Sequence, residues 1–104
     1  MAQFDVHRNP NPDSREWAPY LLDVQNDLLD PLATRVVVPL IKAKEMAKPA
    51  KRLNPQFVVE KNTVVMSTAE LAGVPLRALG EKVVSLGEQR DEIMAALDML
   101  FTGL

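Results

Sequence analysis

Few residues in this chain could carry acid–base or nucleophilic chemistry. The sequence has 104 residues, with one histidine, His7, and no cysteine. A catalytic triad needs a nucleophile and a carboxylate beside the histidine, and the sequence marks no such set. The lack of cysteine also excludes disulfides, zinc–thiolate sites and thiol nucleophiles. We therefore predict that the chain is not an enzyme and uses no cofactor or metal, and that His7 has a structural or solvated role.

An acidic run is the second candidate for chemistry. Asp23, Asp27 and Asp30 fall within eight residues, and carboxylates are ligands that hard cations prefer. The spacing is not that of a calcium loop, which needs alternating ligands, a central glycine and a closing glutamate. We favour a loop whose aspartates cap their own backbone. The four glycines are widely scattered, so no glycine-rich phosphate loop is present either.

A basic segment occupies the middle of the chain. Its cationic residues are Lys42, Lys44, Lys48, Lys51 and Arg52, and they stand against Glu45 alone. The segment could bind an acidic protein partner or phosphates, and the alternative is a solvated helix or loop. An acidic partner is favoured over DNA because no aromatic side chains are interleaved for base stacking. Ala43, Met46 and Ala47 would support a short helix, which Pro49 should end.

The elements that would position these residues are mainly strands. Alternation in Gln3–His7 predicts a half-buried strand. Further strands are expected at Tyr20–Val24, at Arg35–Leu40 with an end near Pro39, at Phe57–Val59, at Val64–Met66, and once or twice within Leu76–Val84. Lys61-Asn62 predicts the turn of a hairpin between the strands at Phe57–Val59 and Val64–Met66.

The C-terminal segment predicts a helix. Ser85 and Glu88 have the spacing of a capping box, so the helix should begin at Ser85. Its apolar face would contain Leu86, Ile93, Leu97 and Leu100. Gly103 follows as a C-terminal cap. Phe101 lies at this end of the chain, where an apolar side chain is as well explained by an interface as by the core.

Composition indicates an ordinary globular chain. Apolar residues make up 47% and charged residues 25%, with a formal net charge of −2, values close to the globular average. We expect a single domain spanning 1–104. The N-terminus has no signal-peptide pattern, and no apolar run approaches the roughly 20 residues that span a bilayer. A cytoplasmic protein without membrane association is therefore expected.

An ordered set of segments resembles the CcdB family of toxins from type II toxin–antitoxin systems. The segments are Gln3-Phe4, Asp23-Val24-Gln25-Asn26-Asp27-Leu28-Leu29-Asp30, Arg35-Val36-Val37-Val38-Pro39-Leu40, Gly73-Val74-Pro75-Leu76 and Phe101-Thr102-Gly103-Leu104. They occur in the family's order and at nearly its spacing. The similarity covers almost the whole chain and is weakest at 8–18 and 41–54. The Asp-Val-Gln-x-Asp block is fairly specific, and the resemblance rests on the ordered set rather than on any single piece.

The resemblance implies both a fold and a function. The fold is a strongly bent antiparallel sheet of SH3-like barrel type, closed by one C-terminal helix. The function is binding to the A subunit of DNA gyrase, which traps the enzyme on cleaved DNA without covalent chemistry by the toxin. The resemblance further implies a homodimer, neutralisation by a CcdA-type antitoxin, and repression of the operon by the toxin–antitoxin complex, in which the antitoxin makes most of the DNA contact.

The family's gyrase-binding positions fall on two parts of this sequence. They are Leu28 and Leu29 after the Asp-Val-Gln block, and Asp98, Phe101, Thr102, Gly103 and Leu104 at the C-terminus. Asp98 replaces an asparagine of the best-known members, and Thr102 replaces a tryptophan that stacks on a gyrase arginine. Such stacking is worth about 0.5–2 kcal/mol.

Thr102 has no aromatic face to stack on that arginine. One hypothesis is that Asp98 and Thr102 contact it through polar groups instead. The alternative is a non-toxic regulatory module that keeps the fold and antitoxin binding but not gyrase poisoning.

Overall fold

The fold is a strongly curled antiparallel sheet that forms a half-barrel, with one C-terminal helix, as the resemblance implied. The computed structural model describes residues 1–103. The elements are β1 (Asp5–Arg8), β2 (Tyr20–Asp23), β3 (Thr34–Lys42), β4 (Gln56–Val59), β5 (Asn62–Met66), β6 (Ala72–Pro75), β7 (Lys82–Ser85) and α1 (Arg90–Thr102). The strand order is β4-β5-β3-β2-β1-β7, and β6 also pairs with β3.

The core lies between one face of this sheet and α1. The sheet contributes alternate residues, because successive side chains of a strand point to opposite faces. These core residues include Val6, Leu22, Val38, Leu40, Val64 and Met66, all with no exposed surface. Ile93, Ala96 and Leu97 of α1 pack against them. Full burial of a side chain such as Ile93 contributes about 1.5–3 kcal/mol, so this packing holds α1 on the sheet.

Strand β3 continues through Pro39 to Lys42, so the expected end near Pro39 is wrong. On one side, β3 pairs with β6 along Thr34–Val37 and with β5 along Leu40–Lys42. Pro39 lies where the partner changes. Its carbonyl accepts a hydrogen bond from the Ser67 N–H at 3.0 Å. A proline lacks an N–H, and the Ser67 carbonyl opposite it accepts instead from the Glu70 N–H at 3.0 Å.

The hairpin of β4 and β5 is confirmed, but its turn lies one residue earlier than expected. Glu60 and Lys61 are the turn residues, with φ values of 51° and 69°, as a two-residue turn of type I′ requires. Asn62 is instead the first residue of β5. Its side-chain amide donates to the Tyr20 hydroxyl at 3.1 Å, which attaches the hairpin to β2.

Of two further expectations, a short strand within 76–84 is present, whereas the helix expected in the basic segment is not. Within 76–84, the structure has a 3₁₀ turn at Leu76–Ala78 and then β7, which confirms one short strand there. β6 precedes it and is not among the strands expected from the sequence. The basic segment Lys42–Arg52 forms only a 3₁₀ turn at Ala43–Glu45 rather than a longer helix.

Helix α1 begins at Arg90, and the predicted start at Ser85 is wrong. Ser85 is the last residue of β7 and pairs with Asp5 of β1. Its hydroxyl accepts from the Gly87 N–H at 3.1 Å and does not cap the helix. Leu86 follows, with its N–H bonded to the Phe4 carbonyl at 2.8 Å. Because Ser85 pairs with Asp5 near the other end of the chain, it ends a strand and does not cap the helix.

Candidate binding surface

Two leucines project into solvent from a short turn after β2. Asp27–Leu29 forms a 3₁₀ turn, and the Asn26 side chain accepts a hydrogen bond from the Leu28 N–H at 2.8 Å. Leu28 is 86% exposed and Leu29 is 49% exposed. Apolar side chains exposed to this extent gain nothing from the core. Their cost in water is consistent with a surface that another molecule covers.

Arg35 anchors both ends of the segment that carries this turn. Its guanidinium donates from Nε to Asp23 Oδ2 at 2.9 Å, and Nη2 lies 2.6 Å from the same oxygen. Nη1 donates to Asp30 Oδ1 at 2.7 Å. The side chains of Arg35 and Asp23 are fully buried. Burial raises the pKa of Asp23, while the Gln25 N–H and the Arg35 guanidinium oppose that rise.

Two glutamines hold the turn from either side. Gln25 donates from its amide to the Leu29 carbonyl at 3.0 Å and accepts from the Val36 N–H at 3.0 Å. The Gln3 N–H donates to Asp27 Oδ1 at 2.7 Å. Most polar residues of the Asp-Val-Gln-x-Asp block therefore act as positioning residues for the exposed leucines.

The acidic run is therefore not simply a set of aspartates that cap their own backbone. Asp23 does accept from the Gln25 N–H at 3.0 Å, but its second oxygen pairs with buried Arg35, and Asp30 pairs with the same guanidinium. Arg35 and Gln3 were not predicted to support the leucine turn. The only sequence signal for Arg35 is one charged residue next to an apolar run, which does not identify its partners.

The C-terminal end of α1 forms a second exposed surface. Phe101 is 67% exposed, so it is not folded back on the core of its own chain. Gly103 adopts a left-handed conformation, with φ of 75°, and its N–H donates to the Met99 carbonyl at 3.1 Å. The predicted C-terminal cap is thus confirmed. Leu104, the last predicted site residue, lies outside the described residues.

Asp98 and Thr102 are also exposed, one helical turn apart. The Thr102 hydroxyl donates to the backbone carbonyl of Asp98 at 2.7 Å. Its proton is therefore committed within the helix. The exposed Asp98 carboxylate is a negative group near the same end of α1, where it can accept hydrogen bonds from a cationic donor.

The leucine turn is linked to the first residue of α1 through Gln3. Arg90, its first residue, lies with its guanidinium carbon 5.6 Å from the centre of the Phe4 ring, and it contacts the Gln3 side chain at 3.5 Å. Gln3 in turn holds Asp27 at the start of the leucine turn. Phe101 lies 11 residues further along the helix, about 16 Å at 1.5 Å per residue. The leucine turn is therefore tied to the start of α1, and the aromatic side chain lies at its end.

His7 is buried and takes a structural role. Its ring Nδ1 lies 3.1 Å from the Gly80 carbonyl, next to the hydrogen bond from the Gly80 N–H to the Arg8 carbonyl at 2.8 Å. Within residues 1–103, no group of three or more histidine or carboxylate side chains could hold a metal ion. No helix in the same part of the chain is long and apolar enough to cross a membrane.

The described residues also form an apolar groove of about 490 Å³ away from both exposed surfaces. Its lining includes Trp17, Leu21, Pro39, Val74 and Arg77. None of the predicted site residues contributes to it. The groove therefore does not explain why Leu28, Leu29 and Phe101 are exposed.

The fold is therefore a curled antiparallel sheet with one C-terminal helix, and it exposes apolar side chains at two places, Leu28 with Leu29 and Phe101. The family model described as CcdB protein matches residues 3–103 of this chain. The chain therefore belongs to the CcdB family and is a toxin of the toxin–antitoxin class.

Proposed function

We propose that this toxin binds the A subunit of DNA gyrase and traps gyrase on cleaved DNA. The contact uses Leu28 and Leu29 together with the C-terminal residues Asp98, Phe101, Thr102, Gly103 and Leu104. The toxin is a cytoplasmic single-domain protein that acts as a homodimer. A CcdA-type antitoxin neutralises it, and the two together repress their operon, with the antitoxin making most of the DNA contact.

The observation that carries the proposal is the combination of exposure and anchoring at Leu28. Its side chain is 86% exposed, yet its backbone is fixed by Asn26 and by the neighbouring Arg35 and Gln25 contacts. A fixed apolar side chain loses little conformational entropy when a partner covers it. Two adjacent exposed leucines on such a support form an apolar surface that a partner can cover.

At the other end of α1, we propose that Asp98 pairs with an arginine of gyrase. Thr102, one helical turn away, contributes a second polar contact to the same guanidinium. A purified gyrase A fragment is titrated with wild type, Asp98→Ala and, as a matched control on the same helix, Asp91→Ala. We expect Asp98→Ala alone to weaken binding, by about tenfold for a charge-assisted contact.

Expression in a growing bacterial host tests the function as a whole. We expect growth arrest that a gyrase A subunit resistant to this toxin class relieves, and that co-expression of the cognate antitoxin also relieves. Harmless expression, together with no binding of wild type to the gyrase fragment, would reject the proposal.

A second candidate is a regulatory member that keeps antitoxin binding but does not poison gyrase. It is favoured by Thr102, which offers no aromatic face for stacking and whose hydroxyl proton is committed inside the helix. The two candidates differ in one measurement. The regulatory member forms a tight complex with the antitoxin but shows no binding to the gyrase fragment at any accessible concentration.

A further inference from the structure

The charge of this chain is divided unequally between one segment and the rest. The basic segment, Lys42–Arg52, holds five cations and one carboxylate, a net charge of +4, while the whole chain carries −2. The remaining residues therefore carry −6. A positive segment on an otherwise negative molecule attracts an anionic partner to one place and repels it elsewhere.

The cations of the basic segment have no ion-pair partners within residues 1–103. Lys44, Lys48, Lys51 and Arg52 are exposed, and the ion pairs among the described residues involve only Arg8, Arg35 and Lys82 as cations. Their charge is not neutralised by the fold. It remains available to a partner that brings carboxylates or phosphates.

Next to this segment lies the open edge of β4. β4 is at one end of the strand order, so its outer edge has no strand partner among the described residues. The Met66 N–H donates to the Pro55 carbonyl at 2.9 Å. Because bonded and non-bonded positions alternate in an antiparallel ladder, the N–H and C=O groups of Gln56 and Val58 then point outward. The side chain of Val58 is 68% exposed.

Two neighbouring clefts lie along the basic segment, and one of them reaches the first residue of β4. One, of about 390 Å³, is lined by Pro49, Lys51, Asn54, Pro55, Gln56 and Glu92. A smaller one, of about 130 Å³, is lined by Lys51, Arg52, Pro55, Glu92 and Ala95. Lys51 thus faces the same space as the first residue of β4. A strand added to this edge would pass Lys51 at the Gln56 end, and Arg52 lies in the adjoining smaller cleft.

We propose that the β4 edge and the basic segment together bind an extended acidic peptide by strand addition. The peptide backbone bonds to the outward groups of Gln56 and Val58, and its carboxylates pair with Lys48, Lys51 and Arg52. Backbone pairing supplies affinity in this mode of recognition, and side chains supply specificity. Nucleic acid fits less well, because the segment lacks aromatic side chains for bases and the rest of the chain repels a polyanion.

The test uses the full chain and three labelled probes in fluorescence anisotropy. The first probe is a ten-residue peptide that alternates glutamate and valine. The second replaces each valine with proline, which keeps the charge but removes the N–H groups that a ladder needs. The third is a short DNA duplex. We expect the glutamate–valine peptide to bind at least about tenfold more tightly than either of the others.

Paired charge reversals locate the site. Lys48→Glu/Lys51→Glu removes two cations of the basic segment, and Arg15→Glu/Arg77→Glu makes the same change in net charge at exposed positions elsewhere. We expect the first pair to weaken binding of the glutamate–valine peptide by at least about tenfold and the second by less than about threefold. Equal losses from the two pairs would mean attraction to the whole molecule and would overturn the proposal.

A substitution of Glu92 should strengthen peptide binding rather than weaken it. Its carboxylate lines both clefts and should repel the acidic peptide, so Glu92→Gln should tighten binding by about two- to fivefold. Amide NMR shifts on adding the peptide should concentrate at 48–58 and 92–95.

Tighter binding of the duplex, equal binding of the proline peptide, or no binding of any probe would each overturn the proposal. None of these measurements uses gyrase, so failure here and failure of the proposed function are separate results.

Discussion

Arg35 connects Asp23 and Asp30, the residues that flank the exposed leucine turn, through one fully buried guanidinium. The Nε atom lies 2.9 Å from Asp23 Oδ2, and Nη1 lies 2.7 Å from Asp30 Oδ1. Asp23 is as buried as Arg35, whereas the Asp30 side chain is 57% exposed. One residue therefore links the interior of the sheet to a surface turn.

The first prediction concerns the stability of this link. Arg35→Met leaves the Asp23 carboxylate buried without its cation, and we expect a loss of about 3–5 kcal/mol in the free energy of unfolding. The double variant Arg35→Met/Asp23→Leu removes both charges and should recover most of that loss. Urea denaturation of the three proteins measures both effects. A loss below about 1 kcal/mol for Arg35→Met would contradict the buried ion pair.

The second prediction separates binding from folding at the leucine turn. Leu28→Ala removes a side chain that is 86% exposed, so the free energy of unfolding should change by less than about 0.5 kcal/mol. Binding to the gyrase A fragment should nevertheless weaken by at least about tenfold. Leu32→Ala is the control, because Leu32 is 51% exposed but is not a proposed contact. If the two variants bind equally well, Leu28 is not part of the gyrase surface.

The third prediction concerns Thr102. Thr102→Trp restores an aromatic face one turn after Asp98, and cation–π contacts are worth about 0.5–2 kcal/mol. We therefore expect binding to the gyrase fragment to tighten by about 2- to 30-fold. Thr102→Val is the control, since it keeps the size and removes the hydroxyl. If the tryptophan variant binds more weakly than wild type, the gyrase arginine does not lie against this face of the helix end.

The fourth prediction concerns pH and the cluster that joins β1, β2 and the hairpin. Glu60 accepts hydrogen bonds from Arg8 at 2.7 and 3.0 Å and from the Tyr20 hydroxyl at 2.7 Å. The Arg8 contact, and after it the Tyr20 hydroxyl, lowers the pKa of Glu60 below its ordinary value of 4.5. A lowered pKa contributes stability above the unfolded value, and that contribution is lost as the pH falls through the folded value.

The difference between wild type and Glu60→Gln isolates this contribution from other titrating groups. Urea denaturation at pH 7 should show wild type as the more stable protein, and the gap should shrink as the pH falls below about 4.5. Asp23 has a raised pKa and the opposite dependence, but it is present in both proteins and cancels. If the difference in stability between the two proteins stays constant down to pH 3, protonation of Glu60 does not affect the stability of the fold.

Local patterns predicted the elements whose partners are close in sequence. The spacing of Ile93 and Leu97 identified the buried face of α1, and Gly103 identified its end, because helix periodicity and a left-handed cap depend on neighbouring residues alone. The apolar segment Phe57–Val59 beside an expected turn identified β4 in the same way. The ordered segments shared with the CcdB family predicted the half-barrel and the family itself.

Long-range pairing decided what the local patterns could not. Ser85 has the local spacing of a helix cap, but it pairs with Asp5, 80 residues earlier, and so it ends a strand. Pro39 continues β3 only because two different strands meet it there. In both cases a tertiary contact outweighed a local preference of about 1 kcal/mol or less.

The binding surface was likewise predicted only in part by the sequence. The sequence by itself determined a mainly β chain with a C-terminal helix, the CcdB-type segments, and the residue types at Leu28, Leu29 and Phe101. Only the tertiary structure decided that these side chains lie in water, that buried Arg35 fixes the leucine turn, and that the basic segment adjoins the open edge of β4. The physical reason is that burial and charge pairing depend on residues that folding brings together. The spacing of these residues along the chain does not determine how far apart they lie in the folded protein.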